Sequence, residues 1–164
     1  MLAFPNPNGP VFTLNAELLR TGFMAAAQSP RKRIILPLHR TQDACVQRML
    51  NFLQPGTYIQ PHLHPLSHAS ETIQVLRGAM GFLVFDQDGT VQSQHLLRAD
   101  GLGLIDIEPN VWHGFVILEP DTVVLEVKRG PYDPAHDKVF ARWSPGEGDE
   151  GVAAALARWG QLFR

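Results

Sequence analysis

Three of the seven histidines lie close together in the segment PHLHPLSHASE, residues 61 to 71. His62 and His64 are separated by one residue, and Glu71 follows seven residues after His64. Side chains two residues apart on an extended strand project from the same face. Their backbones are then about 6 to 7 Å apart, so the two imidazoles can reach the same metal ion. The spacing therefore predicts part of a metal site on a strand.

Two further residues can complete a mixed nitrogen and oxygen site. Glu71 opens the next apolar run and can supply a carboxylate from a neighbouring strand, while His113 in PNVWHGF can supply an imidazole from a distant one. Three imidazoles and one carboxylate suit Fe(II), Mn(II), Ni(II) or Zn(II), and affinity alone does not choose among these ions. We therefore predict one divalent transition metal as the cofactor.

The elements that must position these residues are mostly strands. Between residues 46 and 130, Gly and Pro fall regularly between short apolar runs, which is typical of an antiparallel β sandwich or barrel. The predicted strands are VQRMLNFL, TYIQPHLH, TIQVLRG, MGFLVFD, VQSQHLLR, GLIDIE, WHGFVIL and TVVLEVKRG. Asp-Gly in QDGT favours the positive φ of a tight hairpin turn between two of them.

The two ends of the chain differ from this β-rich middle. TLNAELLRTGFMAAA and EGVAAALARWGQLF have the apolar spacing and the Ala, Leu and Glu content of amphipathic helices, with Thr13 or Asn15 as the N-cap of the first. A chain of 164 residues is the size of one domain. We expect a helical extension over residues 1–30, a β-barrel over 31–148 and a C-terminal helix over 149–164.

Composition narrows the partners and the compartment. A net charge of −2 is too balanced for sequence-independent nucleic-acid binding, and no apolar run reaches the length of a membrane span. The single Cys45 and an N-terminus without a signal-peptide pattern predict a cytoplasmic protein. Charged residues make up 18% of the chain, below the roughly 25% of an average protein, which favours an apolar interface and a homodimer.

The motifs together resemble those of the cupin superfamily. GTYIQPHLHPLSHASETIQVLRG is similar to the first cupin signature, with Gly56, His62, His64, Glu71 and Gly78, and GLIDIEPNVWHGF is similar to the second, with its Pro and His113. This resemblance implies an all-β, single-domain jelly-roll barrel, with short helices flanking it here, and one metal bound by His62, His64, Glu71 and His113. Because the spacer between His64 and Glu71 is longer than usual, His68 is an alternative to Glu71 as ligand.

Four longer segments narrow the resemblance to the WbuC-type cupin-fold metalloproteins. These segments are RKRIILPLHRTQDACVQRMLNFLQPGTYIQPHLHP, LRGAMGFLVFDQDGTV, PNVWHGFVILEPDTVVLEVKRGPYDP and KVFARWSPGEG, within roughly residues 30 to 148. The association of that family with surface-polysaccharide gene clusters implies a sugar or nucleotide-sugar ligand.

Five other side chains are candidates for contact with a small-molecule ligand. Tyr58 and Gln60 share the face of His62 on an extended strand, so Tyr58 can act as acid or base and Gln60 can bind substrate; the alternative is a polar lining filled by water. Glu126 and Lys128 share one face of TVVLEVKRG and are either catalytic and substrate-binding groups or a solvated face. Arg40, like the RKR run at 31–33, can attract a phosphate, although such runs are more often solvated loops.

Two functions are compatible with these residues. The first is a metal-dependent isomerase, hydrolase or oxygenase that acts on a small polar molecule, with the metal as Lewis acid or as the site of water or dioxygen activation. The second is a non-catalytic binding or regulatory module in which the metal stabilises the barrel. An open metal position with titratable groups in reach favours the enzyme, whereas a fourth protein ligand and a blocked entrance favour the module.

Overall fold

Ten β-strands and two α-helices make up the protein, and its computed structural model describes residues 1–164. In chain order the elements are α1 (Ala16–Gln28), β1 (Arg33–Pro37), β2 (Val46–Leu53), β3 (His62–Leu63), β4 (Glu71–Arg77), β5 (Ala79–Phe85), β6 (Val91–Arg98), β7 (Leu104–Ile107), β8 (Trp112–Ile117), β9 (Thr122–Arg129), β10 (Val139–Phe140) and α2 (Val152–Gln161). The prediction of an all-β fold flanked by short helices is confirmed. Neither helix is long and apolar enough to cross a bilayer.

The strands form two five-stranded antiparallel sheets. The first sheet has the order β1-β2-β9-β4-β7, and the second sheet has the order β10-β3-β8-β5-β6. Apolar side chains from both sheets meet between them in one core, which contains Leu53, Ile73, Val75, Met80, Phe82, Leu97, Ile107, Ile117 and Val124. Burial of these side chains away from water holds the two sheets face to face.

Each helix covers the outer face of one sheet, so β2 and β5 are buried on both faces. Helix α1 packs on the first sheet through a cluster that includes Ala26, Leu50 and Phe52, and α2 packs near the second sheet through Ala155 and Trp159. A Cβ at Gly22 would lie 2.4 Å from the Phe52 ring, so the absence of a side chain at Gly22 permits this close approach. Asn15 begins α1, because its side chain accepts a hydrogen bond from the Leu18 N–H.

The β5–β6 hairpin is formed as QDGT predicts. The two strands pair in antiparallel register, Gly89 has φ of +85°, and the Asp86 carboxylate accepts hydrogen bonds from two turn N–H groups. Gly78 also has a positive φ, at the sharp turn from β4 to β5, where a Cβ would lie 2.3 Å from Thr122 Oγ1. These turns set the register of the strands on either side of the core.

One strand prediction and one loop interpretation are corrected. The predicted strand over residues 57–64 is limited to His62–Leu63, partly because Pro61 has no N–H to donate to a ladder. Residues 31–33 do not all form a solvated loop, because Arg33 begins β1 and is 5% exposed. Its guanidinium donates hydrogen bonds to both carboxylate oxygens of Glu147 at 2.8 and 2.9 Å and to the Tyr58 carbonyl at 2.8 Å.

Candidate metal centre

Strand register brings His62 and His113 together, although 51 positions separate them in the chain. His62 lies on β3 and pairs directly with His113 on β8. Side chains of directly paired residues lie on the same face of a sheet with their Cβ atoms about 5 Å apart. The centroids of the two rings are 4.5 Å apart.

His64 completes a triad of imidazoles just beyond the end of β3. Its ring centroid lies 5.3 Å from that of His62 and 5.7 Å from that of His113. One ring nitrogen of each of the three residues lies within 4.8 Å of the others, and all three side chains are buried. Three nitrogen atoms this close together can bind one ion with bonds of about 2 Å.

The backbone holds each of the three rings in the orientation that a metal site requires. The Nδ1 atoms of His62, His64 and His113 are hydrogen-bonded to the carbonyls of Gln60, Asp137 and Val111, at 3.0, 2.6 and 2.9 Å. Since a carbonyl only accepts, each Nδ1 carries a proton, and each Nε2 faces the centre of the triad, where His64 Nε2 contacts Glu71. Such bonds to the distal nitrogen are typical of metal-binding histidines, so the donor set fits a divalent transition metal.

Glu71 adds a carboxylate to the triad from the first sheet. Its Oε2 lies 3.1 Å from His64 Nε2 and 3.7 Å from His113 Nε2, and the side chain is buried. Burial alone would raise the pKa of Glu71, but the hydrogen bond with His64 and the nearby imidazoles hold it well below its usual range. The carboxylate is therefore ionised and available as an oxygen ligand. His68, the alternative ligand, is exposed, whereas Glu71 is buried and contacts two of the three imidazoles.

Burial favours the neutral form of His62 and His113, which is the form that binds a metal ion. Burial, followed by the positive charge of Lys138, lowers the pKa of His62 well below its ordinary value. Burial also lowers the pKa of His113, although the Glu71 charge acts in the opposite direction.

A small cavity of about 40 Å³ lies beside the triad, between the two sheets. Its polar lining consists of Asn51, His62, Glu71, His113, Glu126 and Lys138, and its apolar lining of Leu53, Ile59, Ile73, Met80, Phe115 and Val124. The cavity is far smaller than the roughly 300 to 1,000 Å³ of pockets for drug-sized ligands. It therefore suits a molecule of only a few heavy atoms.

Glu126 faces this cavity from β9, as the pocket interpretation of its strand face predicts. Burial and the Glu71 charge raise the pKa of Glu126 to about 7, and the Asn51 amide donates a hydrogen bond of 2.9 Å to its Oε2. Asn51 was not singled out from the sequence. The available signal was a polar residue at an inward position of the apolar strand β2, between Met49 and Leu53.

Lys128 is buried but does not line the cavity. With 9% of its surface exposed, it is not part of a solvated face. Its ammonium donates a hydrogen bond of 2.6 Å to Asp137 Oδ1, so its closest partner is Asp137 rather than Glu126. Burial lowers the pKa of Lys128, but the charges of Glu126 and Asp137 outweigh burial and raise it. The Asp137 backbone carbonyl also accepts the His64 hydrogen bond, so Asp137 links Lys128 to the triad.

Lys138 lines the cavity, which is the location that the sequence suggested for Lys128. It is partly buried and is the one lysine or arginine among the residues that line the cavity. Nothing in the pattern of HDKVF singled it out, because this segment lies outside the predicted strands.

Three other candidate residues lie away from the cavity. The Tyr58 hydroxyl donates a hydrogen bond to the Pro145 carbonyl at 2.6 Å, and its ring stacks on Trp159 of α2. The Gln60 amide donates to the Ala141 carbonyl at 2.7 Å, so only its backbone carbonyl contacts a triad histidine. Arg40 donates to the carbonyls of Gly9 and Leu38. The expectation that Tyr58 and Gln60 share a face with His62 is wrong because residues 57–61 are not in a strand.

A family model described as a domain of unknown function (DUF6016) matches residues 14–97, about half of the chain. No curated protein matches this sequence.

Solved structures with cupin folds resemble this one. The capsular polysaccharide assembling protein CapF from Staphylococcus aureus is similar with a TM-score of 0.53 and 21% identity, over 65% of this chain and 28% of that chain. An oxalate oxidase in complex with the substrate analogue glycolate is similar with a TM-score of 0.53 and 14% identity, over 84% of this chain and 75% of that chain. This chain thus spans less than a third of the CapF chain. At these identities the likeness shows the fold alone, and it confirms the predicted cupin fold.

Proposed function

The chain belongs to the family described as a domain of unknown function (DUF6016), and we propose that it is a metal-dependent enzyme acting on a small polar molecule. This proposal rests on three buried imidazoles whose Nδ1 atoms are held by backbone carbonyls and whose Nε2 atoms converge beside a cavity. A purely structural triad does not require a cavity beside it, so the cavity indicates that a small molecule binds here. The second carboxyl group in that cavity, Glu126, is a further reason to expect chemistry.

We propose that His62, His64, His113 and Glu71 hold the ion. When bound, a divalent transition metal supplies a Lewis acid to an oxygen of the substrate. Glu126 is the proposed general acid or base among the cavity residues. The hydrogen bond that it accepts from Asn51 fixes one of its oxygen atoms. The apolar lining excludes bulk water from the substrate. Tyr58 and Lys128, for which the sequence suggests catalytic roles, do not line the cavity and have no role in this chemistry.

The small cavity also favours a second candidate function. A cavity of about 40 Å³, together with a carboxylate as fourth protein ligand, fits a cupin in which the metal stabilises the fold and a ligand is bound without reaction. The two functions differ in turnover. Incubation of the metal-loaded protein with mixtures of small polar metabolites, followed by NMR, will show product formation for an enzyme and only bound ligand for a binding module. Glu126→Gln is the matched control, because it should abolish turnover and keep the metal.

The protein is expected to purify with about one divalent transition metal ion per chain, because three imidazole donors converge and the Glu71 carboxylate lies beside two of them. Elemental analysis of protein produced without added metal measures the content. Reloading a chelator-treated sample should restore the content and raise the free energy of unfolding, by about 2.7 kcal/mol when the free metal is at 100 times its dissociation constant. A metal-free protein that does not bind any of Fe(II), Mn(II), Ni(II) or Zn(II) would contradict the proposal.

We also propose membership of the WbuC-type group and a role in surface-polysaccharide synthesis. They are supported by the sequence motifs, and CapF, a capsular polysaccharide assembling protein, shares the fold but is similar only at 21% identity. A sugar or nucleotide-sugar derivative is larger than the present cavity, so this proposal requires the cavity to open. The smaller ligand class is therefore the better supported one.

We also propose a homodimer. The low charged fraction is accompanied by exposed leucines near the β7 edge, with Leu102 88% and Leu104 61% exposed. Burial of such side chains between two copies would remove apolar surface from water. Sedimentation velocity at micromolar concentration is expected to give twice the chain mass of 18.2 kDa. A species of 18.2 kDa across that range would show a monomer.

A further inference from the structure

The ammonium of Lys138 is the one lysine group that makes no hydrogen bond or ion pair in the fold, although Glu71 and Glu126 line the same cavity. The chain has three lysines: Lys32 donates a hydrogen bond to the Ala27 carbonyl, and Lys128 donates to Asp137. Lys138 makes no hydrogen bond or ion pair, although it is partly buried and lines the cavity beside His62, Glu71 and His113. A buried or half-buried charge normally finds a partner, because water solvates it less well there than at the surface. Neither of these carboxyl groups is in direct contact with the ammonium, so a ligand in the cavity can supply the hydrogen-bond acceptor that Lys138 lacks.

The charges around the cavity leave a positive surplus once an ion is bound. The imidazoles are neutral ligands, and the charged groups are a divalent ion, Lys138, Glu71 and Glu126. With both carboxyl groups ionised the sum is about +1, and with Glu126 neutral it is about +2. In either state an anionic ligand is favoured over a neutral one.

The size and lining of the cavity restrict the anion. About 40 Å³ admits only a few heavy atoms, and half of the lining residues are apolar. A phosphate presents oxygen atoms in every direction and would place some of them against apolar side chains without hydrogen-bond donors. A short carboxylate has one charged end and one apolar end, which matches this lining.

We propose that Lys138 selects the ligand of this cavity and that the ligand is a short-chain carboxylate, whose charged end lies between Lys138 and the metal centre. This inference rests on the proposed function, because the metal supplies part of the positive charge. Lys128 does not serve this purpose, since Asp137 already neutralises it at 2.6 Å.

The test uses the cobalt-loaded protein and acetate as the probe. Co(II) gives visible absorption bands that change when a ligand enters its surroundings, so an acetate titration gives a dissociation constant without any assay of activity. Acetate is expected to bind the wild type saturably, and Lys138→Met is expected to bind it at least tenfold more weakly. Lys32→Met is the matched control, because Lys32 is exposed, and it should bind acetate like the wild type. Acetamide, which has the same shape without the charge, should bind weakly to all three proteins.

Several outcomes would overturn this inference. Equal acetate affinity in the wild type and Lys138→Met would show that Lys138 does not select the ligand. Tighter binding of inorganic phosphate than of acetate would show that the ligand is not a carboxylate. Lys138→Arg keeps the charge and should retain much of the acetate affinity. Loss of acetate binding in Lys138→Arg, with an unchanged circular dichroism spectrum, would also contradict the proposal. Elemental analysis of the same samples separates the two proposals. If cobalt does not bind, the proposed metal site is contradicted. The role of Lys138 is then tested in the metal-free proteins, where acetate should shift the histidine ring resonances of the wild type but not those of Lys138→Met.

Discussion

Replacing both His62 and His64 with Ala is expected to abolish stoichiometric metal binding. The two residues supply two of the four proposed ligands, and both rings are buried and held by backbone carbonyls. A structural metal site of four ligands binds with about 10 to 16 kcal/mol, so two ligands account for roughly 5 to 8 kcal/mol. A loss of that size lowers affinity by more than a thousandfold. Elemental analysis after dialysis measures it.

The matched control is a double variant of two exposed histidines, His68→Ala with His95→Ala. This control should keep its metal, because neither ring joins the triad. It also decides the fourth ligand: if His68 is a ligand in place of Glu71, the control will lose metal and Glu71→Gln will keep it. A full equivalent of metal in the His62 and His64 double variant would disprove the assigned site.

The second large effect is expected at Phe82, which joins the core to the metal centre. Phe82 is fully buried between the two sheets, and its ring stacks on His113 with centroids 5.6 Å apart and an angle of 15° between the planes. Phe82→Ala should lower the free energy of unfolding by about 3 to 5 kcal/mol, since it removes buried apolar surface and leaves a void. Loss of this support should also weaken metal binding through His113. Urea denaturation and a metal titration measure the two effects.

Leu102→Ala provides the comparison for this prediction. Leu102 is 88% exposed, so its truncation should change the free energy of unfolding of the isolated chain by no more than about 0.5 kcal/mol. A cost below about 1 kcal/mol for Phe82→Ala would mean that the space between the sheets is not tightly packed. Measurement at two protein concentrations shows whether contacts between copies of the chain contribute.

Local patterns along the chain were sufficient for most of the elements. The Asp-Gly of QDGT produced the β5–β6 hairpin, and Asn15 caps α1, because turns and caps depend on residues a few positions apart. The strand VQRMLNFL was predicted with the bounds that β2 has in the structure. Its run of apolar residues is itself a local pattern, and it reflects burial on both faces of the strand. The His-x-His spacing likewise indicated two imidazoles in one place, since both lie on one short segment.

Tertiary structure alone decided which charged side chains reach the cavity. Lys128 and Lys138 cannot be distinguished by local sequence, because their roles depend on where Asp137 lies relative to β9. Strand alternation placed Tyr58 with His62, but it holds only where the backbone is paired in a sheet, and residues 57–61 are not. A hydrogen-bonded ladder between β3 and β8 joins His62 to His113 across 51 positions. Such a register is set by packing of the whole core, and no short segment of sequence contains it.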